Sequence, residues 1–206
     1  MTPRHKKSVR KEAMQETRRA LLKAAAEEFA QYGFSGANVN RIAAAAGFSI
    51  GTVYNYFPSK RELMSAFIDE IGQMHVNFII QQVKQETKPS SRLRKFFKAG
   101  FEFVETNLQE SRSIFNILNG PDDEFRQRLF ETYAPLFEVL NTYILNPGIE
   151  QGHFRADTPV TTSGLIMLIY LGAGSQFSPE GKHWIEDEEV AAFVLHALKA
   201  NHPSGK

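Results

Sequence analysis

The segment NVNRIAAAAGFSIGTVYNYFPSKREL, residues 38–63, decides the fold of this chain. Asn38 is a residue type that caps a helix by accepting a backbone N–H, and Val39, Ile42, Ala43 and Ala46 then share one face before Gly47. Only about two turns fit between cap and glycine. Ser49 repeats the start signal for a second short helix, Ile50 to Tyr56, which Pro58-Ser59 closes. Ser59 then caps a longer helix, Lys60 to about Lys84, with Leu63, Phe67, Ile71, Met74 and Phe78 at its apolar positions. Two short helices joined by a tight glycine turn form a helix-turn-helix, and the small residues Ala43 to Ala46 let them approach closely. Such a device lays one helix across a DNA backbone and the second in the major groove. An ordinary three-helix corner has the same helix lengths, so the side chains must decide between the two.

They favour the DNA-binding reading. Ile42-Ala43, Ala46-Gly47, Ser49-Ile50-Gly51-Thr52, Tyr54-Asn55-Tyr56-Phe57 and Ser59-Lys60-Arg61-Glu62-Leu63, with Phe29 and Gly33-Phe34 upstream, resemble the signature of the TetR family of bacterial transcriptional regulators. The resemblance runs from Thr17 to Leu63 and implies DNA contacts at Asn38, Ser49, Ile50, Gly51, Thr52, Tyr54, Asn55, Tyr56 and Lys60. Each suits the role chemically. Gly51 has no side chain to hold its helix off the DNA. Ser49, Thr52 and Asn55 offer hydrogen bonds, and the phenols of Tyr54 and Tyr56 can reach phosphate. Asn38 can donate to a phosphate as well as cap its helix. Lys60 adds charge to a helix N-terminus that already favours anions. Val39, Ile42, Ala46, Val53, Phe57 and Leu63 read instead as core. Two positions depart from the family habit: Asn38 replaces the usual Thr or Ser, and the apolar Ile50 can meet a thymine methyl but cannot read a guanine.

Charge supports the same third of the chain. Residues 1–61 hold 11 Lys/Arg against 4 Asp/Glu, a balance of +7, whereas residues 62–206 hold 13 against 19, a balance of −6. Residues 1–16 are polar and basic without an apolar face and read as a flexible arm, whose Arg4, Lys6, Lys7, Arg10 and Lys11 can reach phosphates or a minor groove. Leu21, Leu22, Ala25, Phe29 and Tyr32 then make the stripe of a first helix that Gly33 ends. The absence of cysteine excludes disulfides, thiolate catalysis and cysteine-bound zinc. No apolar run approaches a membrane span, no secretory signal is evident, and the expected location is cytoplasmic.

The remainder reads as helix, giving an all-α fold of about nine helices. The expected organisation is an arm at 1–16, a DNA-binding domain at 17–63 and an effector-binding and dimerisation domain at 64–206. Asn119-Gly120-Pro121 and Asn146-Pro147-Gly148 read as interruptions, with a kink at Pro135 between them. Aromatic residues crowd the larger domain, and Met74, Phe78, Phe101, Phe115, Phe137, Tyr143, Met167 and Tyr170 are candidates to line a pocket for a small, largely apolar effector. The segment 159–176 is apolar on nearly every side. With the last helix it suggests a homodimer interface through Leu165, Leu168, Ile169, Gly172, Val190, Phe193, Val194 and Ala197, which would set two reading heads on a palindromic DNA operator. An enzyme is the competing class. The six histidines (His5, His75, His153, His183, His196 and His202) and the isolated Glu105 and Glu138 form no recognisable catalytic or metal-binding motif, and no phosphate loop is present, so no catalytic residue, metal or cofactor is expected. The expectation is a ligand-released repressor; a regulator without a small-molecule effector, governed by a protein partner or its own concentration, is the alternative.

Overall fold

The structure, a computed structural model, describes residues 3–155 and 158–200, with side chains from Ser8 onward. Its elements are α1 (Pro3–Gly36), α2 (Val39–Ala46), α3 (Ile50–Tyr56), α4 (Lys60–Lys84), α5 (Pro89–Thr106), α6 (Leu108–Leu118), α7 (Asp123–Tyr133), α8 (Pro135–Val139), a π-helical turn (Leu140–Leu145), α9 (Asn146–Glu150), α10 (Pro159–Gly174) and α11 (Asp187–Leu198). The fold is all-α, as its sequence pattern requires. The only β pairing among the described residues is two isolated bridges, Phe154 with Lys199 and Phe177 with His183.

Three sequence expectations change. Residues 3–16 continue α1 rather than forming an arm; this stretch is rich in Lys, Arg, Glu, Ala and Met, all good helix formers, and Ser8 Oγ donates to Glu12 one turn on at 2.7 Å. The side chains of Arg4, Lys6 and Lys7, and with them much of the arm's proposed chemistry, lie outside the described residues, as do His5 and His202. Gly33 does interrupt α1, with φ 64° and ψ 179°, and one further turn leads into α2. Finally, Asn146-Pro147-Gly148 does not break the chain's helical course. Pro147 has no N–H to give the Tyr143 carbonyl, yet Arg92 Nη1 donates to that oxygen at 2.9 Å, and the Asn146 N–H reaches back to Asn141 in a π-type bond. Pro135 does interrupt, between α7 and α8.

The described residues divide into two compact units, the first made of Met1–Ile71 with Gln109–Leu129, the second of Gly72–Leu108 with Phe130–Lys206. The first therefore takes in α6 and most of α7, which the expected division at 63/64 leaves elsewhere. Its core joins Leu21, Phe29, Ile42, Val53, Leu63, Met64 and Phe67 to Ile117 and Phe125. Polar contacts seal α6 to α1: Ser113 Oγ donates to the Ala26 carbonyl at 2.8 Å and Asn116 Nδ2 to that of Ala30 at 3.2 Å. In the second unit, Val76 and Ile79 of α4, Leu93, Phe96, Phe97 and Phe101 of α5, Leu136 to Leu145, and the inner faces of α10 and α11 share one core. Five buried phenylalanine and tyrosine rings there explain why the segment is so rich in aromatics: it fills volume.

Candidate nucleic-acid interface

Each short helix of the first unit is fixed at both ends by its own sequence. Asn38 Oδ1 accepts from the Asn40 N–H at 2.8 Å to cap α2, and Gly47 closes it in the left-handed region at φ 77°. Ser49 Oγ accepts from the Thr52 N–H at 3.1 Å to cap α3. Val39, Ile42, Val53, Phe57 and Leu63 are buried as expected, while Ala46 is only half buried and Ala43 is buried.

The α2 start is held by a contact that sequence reasoning missed. Glu28 on α1 is 8% exposed and accepts from three N–H groups: Asn38 N–H at 2.8 Å, Arg41 Nε, shared between the two carboxylate oxygens at 2.9 Å and 3.1 Å, and Arg41 Nη2 at 2.5 Å. Burial alone pushes the Glu28 carboxyl up, but the Arg41 hydrogen bond, the Asn38 N–H and the charges of Arg41 and Lys60 outweigh it and hold the carboxyl below its ordinary range. The Arg41 guanidinium also lies 4.3 Å from the Tyr32 ring centroid. A Glu and an Arg on different helices carry no local spacing signal, so only the fold brings this pair together.

Among the nine expected DNA-contacting residues, four make one outward face. Ile50, Gly51, Tyr54 and Asn55 occupy positions i, i+1, i+4 and i+5 of α3 and all are exposed. Among the described residues neither Tyr54 nor Asn55 has a hydrogen-bond partner for its side chain, so their polar groups are available. A Cβ at Gly51 would meet nothing closer than Ser49 Oγ at 3.7 Å, an ordinary contact, and its φ is not positive. The fold does not require glycine there. Asn38 and Ser49 are exposed but already serve as caps, and the Thr52 hydroxyl lies 2.9 Å from that of Ser49. Tyr56 is half buried, its ring 6.3 Å from that of Phe57. Lys60 is more committed than expected: its ammonium donates to the carbonyls of Ser35 at 3.3 Å and Ala37 at 3.1 Å, above the Phe34 ring. One of its three hydrogens remains for an outside anion.

The candidates for effector binding and dimerisation separate. Phe115 sits on α6 in the first unit, whereas the other seven pocket candidates belong to the second. Phe101, Met167 and Tyr170 are buried in the second unit's core with Phe78 and Tyr143 packed against it, while Met74 and Phe137 remain exposed at 49% and 37%. Of the expected dimer residues, Val190 and Val194 belong to the chain's own core, facing inward from α11, and cannot meet a second copy. Leu165, Leu168, Gly172, Phe193 and Ala197 are exposed, and Ile169 is half buried. Outside α10's own backbone, no described residue comes within 4 Å of a Cβ placed at Gly164 or Gly172, so this face of α10 is open as well as apolar.

One buried polar group went unrecognised in the sequence, where His75 is only one of six scattered histidines. Its Nδ1 lies 3.0 Å from Tyr133 Oη and its Nε2 lies 2.9 Å from Tyr170 Oη, with Phe103 stacked on the ring at 4.2 Å. The residues come from α4, α7 and α10, too far apart in sequence for any motif to show.

Residues 21–67 match the family model described as bacterial regulatory proteins, tetR family. Over 104 residues the chain is 36% identical to the HTH-type transcriptional activator FasR of Mycolicibacterium smegmatis, covering 48% of this chain and 46% of FasR. Over 144 residues it is 29% identical to the HTH-type transcriptional repressor KstR2 of Mycobacterium tuberculosis, covering 68% and 70%. Among solved structures, AibR in complex with isovaleryl coenzyme A and operator DNA superposes with a TM-score of 0.70 at 21% identity, over 89% of this chain and 98% of AibR.

Proposed function

We propose that this chain, whose residues 21–67 match the bacterial tetR regulator family, is a regulator of that type that binds a palindromic operator as a homodimer and is released by a small, largely apolar effector. The observation that carries the DNA-binding part is the outward face of α3: Ile50, Gly51, Tyr54 and Asn55 are exposed together, and Gly51 is a glycine the chain itself does not need. A glycine costs a helix about 1 kcal/mol relative to alanine, so its presence suits a surface that something outside must approach closely. The dimer part rests on the open face of α10 with Leu165, Leu168 and Gly172, beside the exposed Phe193 and Ala197 of α11. A two-fold pair of such faces would set reading heads about one DNA turn, or ~34–36 Å, apart.

The effector part rests on the aromatic second unit and on the fold shared with AibR, whose complex holds isovaleryl coenzyme A. Repression is the proposed sign. KstR2 is a repressor and FasR an activator, so the sign is to be read at the promoter. No helix among the described residues is long and apolar enough to cross a membrane.

Selection of bound fragments from genomic DNA tests the reading, with the Tyr54→Ala/Asn55→Ala protein as control. Both side chains are exposed, so the control keeps its fold. Fragments retained by the parent and lost by the control support the DNA-binding proposal; equal retention at matched salt overturns it. A reporter driven by the recovered fragment then reads the sign. Release of that fragment by no member of a panel of apolar metabolites would transfer control to a protein partner or to concentration.

A further inference from the structure

We propose that the first unit holds a binding site of its own, a cavity between α1, α4, α6 and α7 that takes a small, neutral aromatic molecule carrying an N–H donor. The site is separate from the effector reading: of the residues offered for that pocket only Phe115 belongs to the first unit, and it does not line this cavity.

The cavity follows from how α6 is attached to α1. Ser113 and Asn116 donate to the carbonyls of Ala26 and Ala30 at 2.8 Å and 3.2 Å, so short polar side chains hold the two helices together and do not fill the space beside them. Gly33 then interrupts α1 at φ 64°, and a Cβ there would meet nothing within 4 Å. On the opposite rim Gly120 passes close to the last turn of α6, where a Cβ would lie 2.8 Å from the Asn116 backbone oxygen. The space left between these walls is about 430 Å³. Small-molecule sites occupy about 300–1,000 Å³.

The walls decide the body of the ligand. Phe29, Met64 and Phe125 are at most 2% exposed, so part of the lining is fixed core. Phe34 stands edge-on to Phe125 at 4.8 Å and lies 6.5 Å from Phe29. Rings set at such angles offer both edges and faces, which a further flat ring packs against favourably. Phe34 and Ser35 also belong to the turn that leads into α2, and Lys60 holds that turn through the Ser35 carbonyl at 3.3 Å. A ligand here touches the reading head itself.

The polar groups decide its charge and its donor. No Lys or Arg lines the cavity, and its one charged lining residue is Asp122. Arg61 takes both Asp122 oxygens, at 3.1 Å and 3.2 Å, and the Phe125 N–H takes one of them again at 3.1 Å. An entering anion would therefore find a carboxylate and no cation. The hydroxyls of Tyr32 and Ser35, both exposed, can donate or accept and impose no choice. Asn116 does impose one. Only its amide nitrogen can donate to the Ala30 carbonyl, which fixes the other atom as an acceptor, and among the described residues nothing donates to that Oδ1. A neutral ring with an N–H matches it.

The test uses the full-length protein labelled with ¹³C-methyl methionine. Met64 lines the cavity and Met167 is buried in the core of the second unit, so the two methyl signals report on the units separately. Indole should shift the Met64 methyl saturably without a matching shift at Met167. Indene, the same bicyclic shape without the N–H, should bind about tenfold more weakly, the worth of one hydrogen bond. Benzoate should leave Met64 unshifted at the concentration where indole saturates. Asn116→Ala, at an exposed position, should bring indole and indene to parity. Ile117→Phe should fill the cavity and abolish the response of Met64 to indole. Should Ile117→Phe fail to fold, the parent and Asn116→Ala decide alone. A Met64 methyl that does not move, one that only tracks Met167 at every concentration, equal binding of indole and indene or of indole and benzoate by the parent, or a preference that survives Asn116→Ala overturns the site. The effector reading fails separately, when no metabolite releases the operator.

Discussion

Replacing Gly51 by alanine should strengthen the protein and weaken its grip on DNA, two effects of opposite sign from one methyl group. Within the chain the new Cβ meets only Ser49 Oγ at 3.7 Å, and the backbone is in a region open to any residue, so no strain opposes it. α3 has only seven residues, and exchanging glycine for alanine in its first turn gains about 0.5–1 kcal/mol of helix stability. For a chain of this size that is a rise of roughly 1–4 °C in melting temperature. Against DNA the same methyl stands about 1.5 Å out from the backbone on the face shared with Ile50, Tyr54 and Asn55. Hydrogen bonds weaken steeply with misalignment, so a shift of the helix by that much should remove one or two of them. The expected loss is about tenfold or more in affinity. Fluorescence anisotropy with a selected operator at fixed salt reads the second effect, and calorimetric melting the first. A variant that melts at or above the parent and binds the operator equally well would show that the first turn of α3 does not lie against DNA.

Glu28→Gln should loosen the start of α2 by about 1–3 kcal/mol, since a nearly buried charged acceptor of three hydrogen bonds is replaced by a neutral group. Because the folded carboxyl sits below its ordinary value of 4.5, its stabilisation is complete above that pH and is lost as pH falls through the folded value. The parent should therefore lose stability on acidification more steeply than Glu28→Gln; parallel acid-melting curves would refute the assignment. Leu168→Glu/Phe193→Glu places two charges on the exposed face of α10 and α11 and should convert a dimer to a monomer in light scattering, without lowering the melting temperature of the isolated chain at low concentration. An unchanged mass would remove that face from the interface. Gly100→Ala forces a methyl to within 2.3 Å of Tyr170 in a packed core and should cost about 1–3 kcal/mol in denaturant unfolding. A neutral result would mean that the Tyr170 ring has room to move.

The reading head was legible because its information is local. Caps, glycine turns and an apolar face within residues 38–63 depend on neighbours a few positions apart, and α2 and α3 fall where those signals put them. The outward face of α3 was legible for the same reason. What escaped depends on contacts between distant segments. Glu28 and Arg41 stand 13 residues apart, and only the packing of α1 against α2 pairs them. Lys60 read as a free phosphate ligand, although the loop it caps lies more than twenty residues earlier. Val190 and Val194 looked no different from Phe193 in an amphipathic helix; which side faces the chain's own core is settled only by where α11 packs. Pro147 signals a break by every local rule, and it is overruled by an arginine on another helix. The His75 group is the limiting case, since its three members are spread over nearly a hundred residues.

The composition of the first unit also bears on how an effector could act on the reading head. Residues 109–129 enter that unit from the middle of the chain, with second-unit residues on both sides. Two helices, α4 and α7, run without a break from one unit's residues into the other's, at Ile71 to Gly72 and at Leu129 to Phe130. Within the first unit those two helices are joined twice. Arg61 at the start of α4 binds Asp122 at 3.1 Å and Glu124 at 2.5 Å, and Arg128 binds Asp69 through Nε at 2.8 Å and Nη2 at 2.5 Å. Asp122 also accepts from the Phe125 N–H and so caps α7 itself. A helix transmits displacement along its axis because its own hydrogen bonds resist stretching, and a bidentate arginine fixes orientation as well as distance. Within the first unit, therefore, α4 and α7 are held as a pair. In the second unit the Tyr133–His75 contact joins residues of the same two helices.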